Sequence, residues 1–195
     1  APGHRITVAL SKDFDLGPVA LTVGGYYEGK NGRPYSFNIN GDWNSDGRYG
    51  NDLLYVPASE GEVIVTNGTW ADLNAYIEAD DSLSEYRGQI IERNAGRSPW
   101  TDRVDLSALF TVPVKGVRLQ YSLVVQNFLN LLNKDWGVVD YASFNDLNPI
   151  RVSLDQASGQ MVYDIGTITS PSYTKWDRDD LRSRWQMQMG FRLLF

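Results

Sequence analysis

The chain closes on RWQMQMGFRLLF, residues 184–195, and this stretch sets the fold class. Trp185, Met187, Met189, Phe191, Leu193 and Phe195 share one parity. Arg184, Gln186, Gln188, Gly190 and Arg192 share the other, with Leu194 the apolar exception. A strand sends successive side chains to opposite faces, so the stretch reads as a strand with one apolar and one polar face. On a helix, Met187, Met189 and Phe191 would scatter around the axis.

The same alternation recurs upstream. Val117, Leu119, Tyr121, Leu123 and Val125 oppose Arg118, Gln120, Ser122, Val124 and Gln126. Val104, Leu106, Ala108, Phe110 and Val112 oppose Arg103, Asp105, Ser107, Leu109 and Thr111. Ile6, Val8 and Leu10 oppose Arg5, Thr7, Ala9 and Ser11, and Val19, Leu21, Val23 and Tyr27 oppose Ala20, Thr22, Gly24 and Glu28. Weaker segments lie at 150–155 and 161–165. Short turns bearing Gly or Pro fall at 15–18, 113–116 and 157–159. Long connections fall at about 31–100, 132–148 and 168–182. Short turns on one side and long loops on the other are the pattern of an outer-membrane barrel. The alternation alone also fits a soluble antiparallel sheet with one buried face. The Arg, Gln, Ser and Thr of the polar face suit a wet lumen, and Tyr26, Tyr27, Trp100, Tyr121, Trp136 and Trp185 near segment ends suit interfacial girdles. The expected strands are 4–14, 18–29, 101–113, 116–130, 149–156, 160–167 and 183–195, about seven. An odd number brings the final residue back to the short-turn side.

Composition narrows the function. The 195 residues include no cysteine, which excludes disulfides, thiolate metal sites and a cysteine nucleophile. The sole histidine, His4, speaks against a histidine-rich metal site or a Ser-His-Asp triad, and it reads as a structural residue at a strand start. A net charge of -6 argues against nucleic acid as a partner. No run of about 18 apolar residues occurs, so no transmembrane helix is expected, whereas a barrel wall needs only alternating segments of about ten. Ala1-Pro2-Gly3 does not begin a signal peptide.

The connection at 31–100 is too long to be structureless. Residues 40–52, NGDWNSDGRYGND, contain D-x-N-x-D-G, the opening of a calcium loop of the EF-hand type. Spacing by two places three side-chain oxygens around one point. Asp42, Asn44 and Asp46 are the candidate ligands, with the Arg48 carbonyl next. The usual Glu at the twelfth position is Leu53 here, and Asp52 is its possible substitute. The cluster also reads as an Asn/Asp/Gly turn that needs no metal. Two short helices are expected downstream, over 72–78 and 82–87, the second with a capping box of Ser82 and Glu85. Glu78, Asp80, Asp81 and Glu85 read as a solvated face, as do Asp177, Asp179 and Asp180.

GRPYS (32–36), NGDWNSDGRYGNDLLYVP (40–57) and YRGQIIERNAGRSPWTDRVDLS (86–107) resemble the C-terminal barrel region of Oar-like TonB-dependent receptors, a family often carrying a carboxypeptidase-regulatory-like domain. NFLNLLN (127–133) is similar to the N-x-x-N strand end of TonB-dependent receptors. Residues 185–195, with Trp185, Phe191 and Phe195, resemble the C-terminal signal read by the barrel-assembly machinery. The resemblance implies an all-β fold, the C-terminal portion of an antiparallel transmembrane β-barrel. Its extent is residues 1–195, with a long extracellular loop at 31–100 carrying the calcium-like motif and helices, and the terminal strand at 183–195. It further implies a 22-stranded barrel, a plug domain and a TonB box, neither of the latter visible here, so the chain is expected to be part of a longer protein. Seven strands cannot close alone, because open edges in lipid leave backbone groups unpaired.

The function expected from these readings is that of a non-enzymatic receptor and transporter component in the outer membrane of a Gram-negative bacterium. Its partners would be outer-membrane lipid, the plug and the TonB complex. Arg103, Arg118, Gln120, Gln126, Arg184 and Arg192 would face the lumen, and calcium is the candidate cofactor. The competing expectation is a calcium-dependent surface adhesion protein for which the barrel is an anchor. No nucleophile is paired with a base, which speaks against an enzyme.

Overall fold

The computed structural model describes residues 3–44 and 46–195. Ala1 and Pro2, and Ser45 within the calcium-like motif, lie outside the described residues. In chain order the elements begin with β1 (Arg5–Leu16), β2 (Val19–Lys30), β3 (Pro34–Phe37), β4 (Tyr55–Val56) and β5 (Val63–Thr66). Then come α1 (Trp70–Glu78), α2 (Asp81–Ser84), β6 (Gln89–Ile90), β7 (Gly96–Arg97), β8 (Thr101–Val114), β9 (Val117–Gln126) and α3 (Phe128–Leu132). The chain finishes through β10 (Asp140–Tyr141), β11 (Asp146–Leu147), β12 (Arg151–Leu154), β13 (Met161–Asp164), β14 (Asp177–Arg178), α4 (Asp180–Ser183) and β15 (Gln186–Leu194). Strand makes up 46% against 13% helix, so the chain is mostly β. The described residues form two compact units, one within 33–98 and 141–177 and one within 3–32, 99–140 and 178–195.

The second unit is a five-stranded sheet in the order β1-β2-β8-β9-β15, antiparallel throughout. Turn chemistry sets the two hairpins. Gly17 has φ +77° and is followed by Pro18, the pattern of a type II′ turn between Leu16 and Val19. Lys115 and Gly116 both have positive φ, as a type I′ turn between Val114 and Val117 requires. Leu194 lies opposite Arg118, so β15 ends beside the second turn.

The expectation of about seven strands is corrected to five in this sheet. Residues 149–156 and 160–167 do form a hairpin, β12 with β13, but it joins β5 in parallel within the other unit. Each of these strands has four residues and rises only about 13 Å. The strands of the large sheet run from 9 to 14 residues. The odd count survives the correction, and with it the return of the final strand to the short-turn end. The expected strand at 116–130 also stops earlier, at Gln126, where Asn127 takes φ +52° and α3 begins.

The register carries one apolar face across all five strands. Phe14, Leu21 and Phe110 meet in adjacent strands, and Phe110, Tyr121 and Phe191 continue the row, the last two with ring centroids 4.9 Å apart. The opposite face carries Asp13, Thr22, Thr111, Gln120 and Arg192 at neighbouring positions. Tyr26 sits on this polar face, opposite Ala9 and Asp105, and so is removed from the expected aromatic girdle. Among the described residues, none of the five strands contributes a buried hydrophobic side chain. Leu10 is 74% exposed and Phe191 76%.

Among the described residues, the buried hydrophobic core lies in the first unit and includes Tyr35, Phe37, Leu73, Ile77, Leu83, Ile150, Tyr163 and Ile165. Thr69 caps α1 in a reciprocal capping box with Asp72, and Leu73 and Ile77 turn inward. The capping box expected at Ser82 and Glu85 is not what starts the second helix. Asp80 is its N-cap, accepting from the Leu83 N–H at 3.2 Å. Asp80 is also not part of a solvated face, being only 8% exposed. It pairs with Lys175 and accepts from the Tyr35 hydroxyl at 3.1 Å. The Lys175 ammonium in turn lies 4.9 to 5.9 Å from the ring centroids of Trp176, Phe37 and Tyr35.

Candidate functional site

The large sheet offers one candidate site on its polar face. By register Arg103, Arg118, Gln120, Gln126 and Arg192 share that face. Gln120 donates to Thr111 at 3.3 Å, and Arg192 stands opposite Gln120. Arg184 precedes β15 at the end of α4, where it pairs with Asp180 at 3.4 Å, so it is placed apart from the other five. At the end of the face away from the tight turns, Glu28 is held by Arg5 at 2.5 Å and by Lys30 at 2.7 Å. Arg103 pairs with Asp105 at 2.8 Å. These groups border a hollow of about 340 Å³ lined by Glu28, Lys30, Thr101, Arg103, Asn127 and Arg182, among others. Glu28 is shared by Arg5 and Lys30, Arg103 is paired with Asp105, and the Thr101 hydroxyl adds a polar group, a surface suited to a polar ligand.

Asn127 builds this end of the sheet, and its role was not foreseen from the sequence beyond the N-x-x-N resemblance. It is 2% exposed. Its backbone N–H donates to Asp105 at 2.8 Å, and its amide donates to the Gly137 and Ser183 carbonyls at 2.9 and 2.8 Å. Asn130 donates to the Lys134 and Trp136 carbonyls and accepts from the Trp185 N–H. The two asparagines thus tie the end of β9 to the following loop and to the start of β15. On the apolar face near the same end, Tyr27 and Trp100 both donate to Asp102, at 2.6 and 2.9 Å. Trp185 sits just before β15, Phe191 lies within it, and Phe195 follows it fully exposed. His4 and Asn31 close the β1–β2 ladder through reciprocal bonds of 2.7 and 3.0 Å.

The first unit carries the calcium-like loop. Asp42 accepts from the Asp46 and Gly47 N–H groups, both at 3.0 Å. Asn44 accepts from the Asp46 N–H at 2.9 Å, and Asp46 accepts from the Arg48 N–H at 2.8 Å. Asp52 folds back to accept from the Trp43 N–H at 2.7 Å. Gly47 has φ +81°, the bend that follows the third ligand position in such loops. The structure therefore gathers Asp42, Asn44, Asp46, Arg48 and Asp52 into one hydrogen-bonded loop. Hydrogen bonds from Asn51 and from the Arg48 N–H hold the Asp46 carboxyl below its ordinary range. Asp46 Oδ2 accepts from both Asn44 and Asn51, and Asp52 Oδ2 from the Trp43 and Asn44 N–H groups, so these two oxygens are already engaged within the loop. Among the described residues no group of three or more His, Asp or Glu side chains forms a metal cluster.

Compared with known protein families, curated proteins and solved structures, the chain matches none of them. Function therefore rests on the geometry of this chain.

Beside the loop, a set of residues absent from any motif reading comes together. Asn38 follows β3, donates to the Gly50 carbonyl at 2.8 Å and is hydrogen-bonded through its backbone N–H to the Leu147 carbonyl at 2.9 Å. Burial pushes the Asp146 carboxyl up, opposed by a hydrogen bond from Asn38 and by the charge of Arg93. No spacing in the sequence relates residue 38 to residue 146; only the parallel pairing of β3 with β11 does.

Proposed function

We propose that this chain forms part of the wall of an outer-membrane β-barrel in a TonB-dependent receptor of the Oar-like kind. The observation that carries the reading is the apolar face of the five-stranded sheet. It runs across all five strands, interrupted by Lys12 opposite Val23 and by Asp102 near one end, and among the described residues none of its side chains belongs to the buried hydrophobic core. A soluble sheet with such a face would bury it, since apolar area left in water costs about 25 cal/mol per Å². Lipid tails cover it instead. Strands of 9 to 14 residues have the length that a tilted membrane-spanning strand needs. Tyr27, Trp100 and Trp185 take the place of an interfacial belt. Among the described residues, β1 and β15 each pair along one edge only, so further strands complete the barrel.

On this reading the long connection at 31–100 is extracellular and meets ligand first. The polar face lines the lumen, where the hollow at Glu28, Lys30 and Arg103 contacts the plug or passing ligand. Trp185, Phe191 and Phe195 serve as the insertion signal. Calcium at Asp42, Asn44, Asp46, Arg48 and Asp52 would rigidify the outer loop, and no catalytic role is assigned to any residue. The test is uptake by cells with and without the gene, each with and without TonB. Loss of uptake of a compound on deleting either supports the transporter. Calcium-dependent adhesion lost on deletion, with uptake intact, would replace it with the adhesion reading. That reading draws on the unit of 33–98 and 141–177 having a hydrophobic core of its own.

A further inference from the structure

Two short strand pairs of the first unit set apolar side chains around a hollow. In the hairpin of β12 and β13, Val152 stands opposite Tyr163 and Leu154 opposite Met161, so these four share one face of the ladder. In the pair of β4 and β6, Tyr55 stands opposite Ile90. Val152, Met161 and Tyr163 form one wall of the hollow, and Tyr55 and Ile90 another. Ile39, Trp43 and Leu53, from the connection after β3, close it to a space of about 110 Å³. Its inner residues Ile39, Val152 and Tyr163 are buried, while Trp43 at 44% exposure and Ile90 at 63% form an apolar rim in contact with solvent. Trp43 is anchored there by its backbone N–H, which donates to Asp52 at 2.7 Å. The Tyr163 hydroxyl donates to the Tyr55 carbonyl at 2.6 Å, and the Tyr55 hydroxyl donates to Glu62 at 3.0 Å, so both phenols are already committed. Among the described residues, no charged side chain lines the space.

We propose that this hollow is a binding site for the aromatic ring of a small molecule. Size sets the first limit: a closed apolar cavity of about 150 Å³ takes up benzene, so a smaller space open at its rim takes one ring and leaves its substituents outside. Polarity sets the second. A sugar ring or an ion would lose its hydration against walls with few groups to replace it, whereas an apolar ring gains by leaving water. The wall chemistry sets the third. Trp43, Tyr55 and Tyr163 offer aromatic faces and edges, and the Met161 thioether offers a sulfur contact, each favouring an aromatic over a saturated ring beyond what area burial gives. The proposal does not depend on the transporter reading, because every lining residue belongs to the first unit.

The test is methyl NMR of the full chain in detergent, labelled at the methionine methyl groups and titrated with p-cresol. The chain has three methionines. Met161 lines the hollow, while Met187 and Met189 lie on the apolar face of β15 and report p-cresol that dissolves in the detergent. The expected result is a saturable shift of the Met161 signal, with Met187 and Met189 moving only in proportion to added p-cresol. Affinity read from Met161 should fall about five-fold or more in Trp43→Ala and about two-fold or more in Ile90→Ala. Both substitutions act on exposed rim positions outside the buried core, and circular dichroism checks that each variant is folded. Cyclohexanol, a saturated ring of the same size, should bind several-fold more weakly than p-cresol. A Met161 signal that stays in place, or that moves in proportion with the other two and never saturates, would overturn the proposal. Saturable binding left intact by both rim variants would overturn it by placing the ring elsewhere, and equal affinity for cyclohexanol would overturn the choice of an aromatic ligand.

Discussion

Replacing Lys175 by Met tests what holds the helical part of the first unit. Asp80 is 8% exposed, and Lys175 is its ionic partner while resting against three aromatic rings. Methionine keeps most of the contact with those rings and removes the charge. Breaking a buried pair by deleting one member costs about 3–5 kcal/mol, because the remaining charge is left uncompensated. The Lys175 side chain retains 22% exposure, which places the cost near the lower end, about 3 kcal/mol. Asp80→Asn keeps one acceptor, for the Leu83 N–H, and sets an NH2 where Oδ2 took the Tyr35 hydroxyl, so it costs about 2 kcal/mol. In the double variant neither charge is stranded, and the two changes sum to less than their separate costs, with a coupling of about 2 kcal/mol. Native-state hydrogen exchange of the amides from 70 to 86 reads these values as opening free energies. A coupling under about 0.5 kcal/mol would refute the view that this pair anchors α1 and α2.

The same pair sets an acid limit. Burial raises the Asp80 carboxyl, but the hydrogen bond and charge of Lys175, with Ser82 and the Leu83 N–H, bring it below its ordinary value of 3.8. A depressed folded value stabilises above the unfolded value and is lost as pH falls through the folded one, so exchange protection of α1 and α2 should drop below about pH 4 and Asp80→Asn should blunt that drop. Gly137→Ala should destabilise the loop after α3 by about 2 kcal/mol, since Gly137 has φ +61° and a Cβ there would strike Asn127 Oδ1; protease cleavage across 128–137 is the readout. Thr69→Ala removes half of the capping box and should cost about 1 kcal/mol, seen as faster exchange in the first turn of α1 with later turns less affected.

Much of the large sheet was legible because period two, sustained over nine or more residues, has few other readings. The strand ends of β1, β2, β8, β9 and β15 fall within a few residues of expectation, and the two tight hairpins announce themselves through Gly17-Pro18 and Lys115-Gly116. Periodicity states which face a residue takes, not which strand it pairs with. That is why the short hairpin of β12 and β13 was placed in the wrong sheet: its partner is Val63–Thr66, four apolar-rich residues with too little length to show a period. Asp80 was misread because a carboxylate amid Glu78, Asp81 and Glu85 looks solvated, and the lysine that neutralises it lies 95 residues away. The D-x-N-x-D-G loop was visible since its residues are contiguous. The approach of Asn38 to Asp146 was not, since only the pairing of β3 with β11 brings those two segments together.

The central claim is that lipid covers the apolar face of the five-stranded sheet. The chain contains no cysteine, so single cysteines placed from 186 to 194 report cleanly. The decisive measurement is spin-label accessibility at each position in β15 within native outer membranes, comparing oxygen with a water-soluble nickel complex. The account predicts period two: oxygen-accessible at Met187→Cys, Met189→Cys, Phe191→Cys and Leu193→Cys, and nickel-accessible at Gln188→Cys and Arg192→Cys. Equal accessibility to the nickel complex at both parities would contradict it.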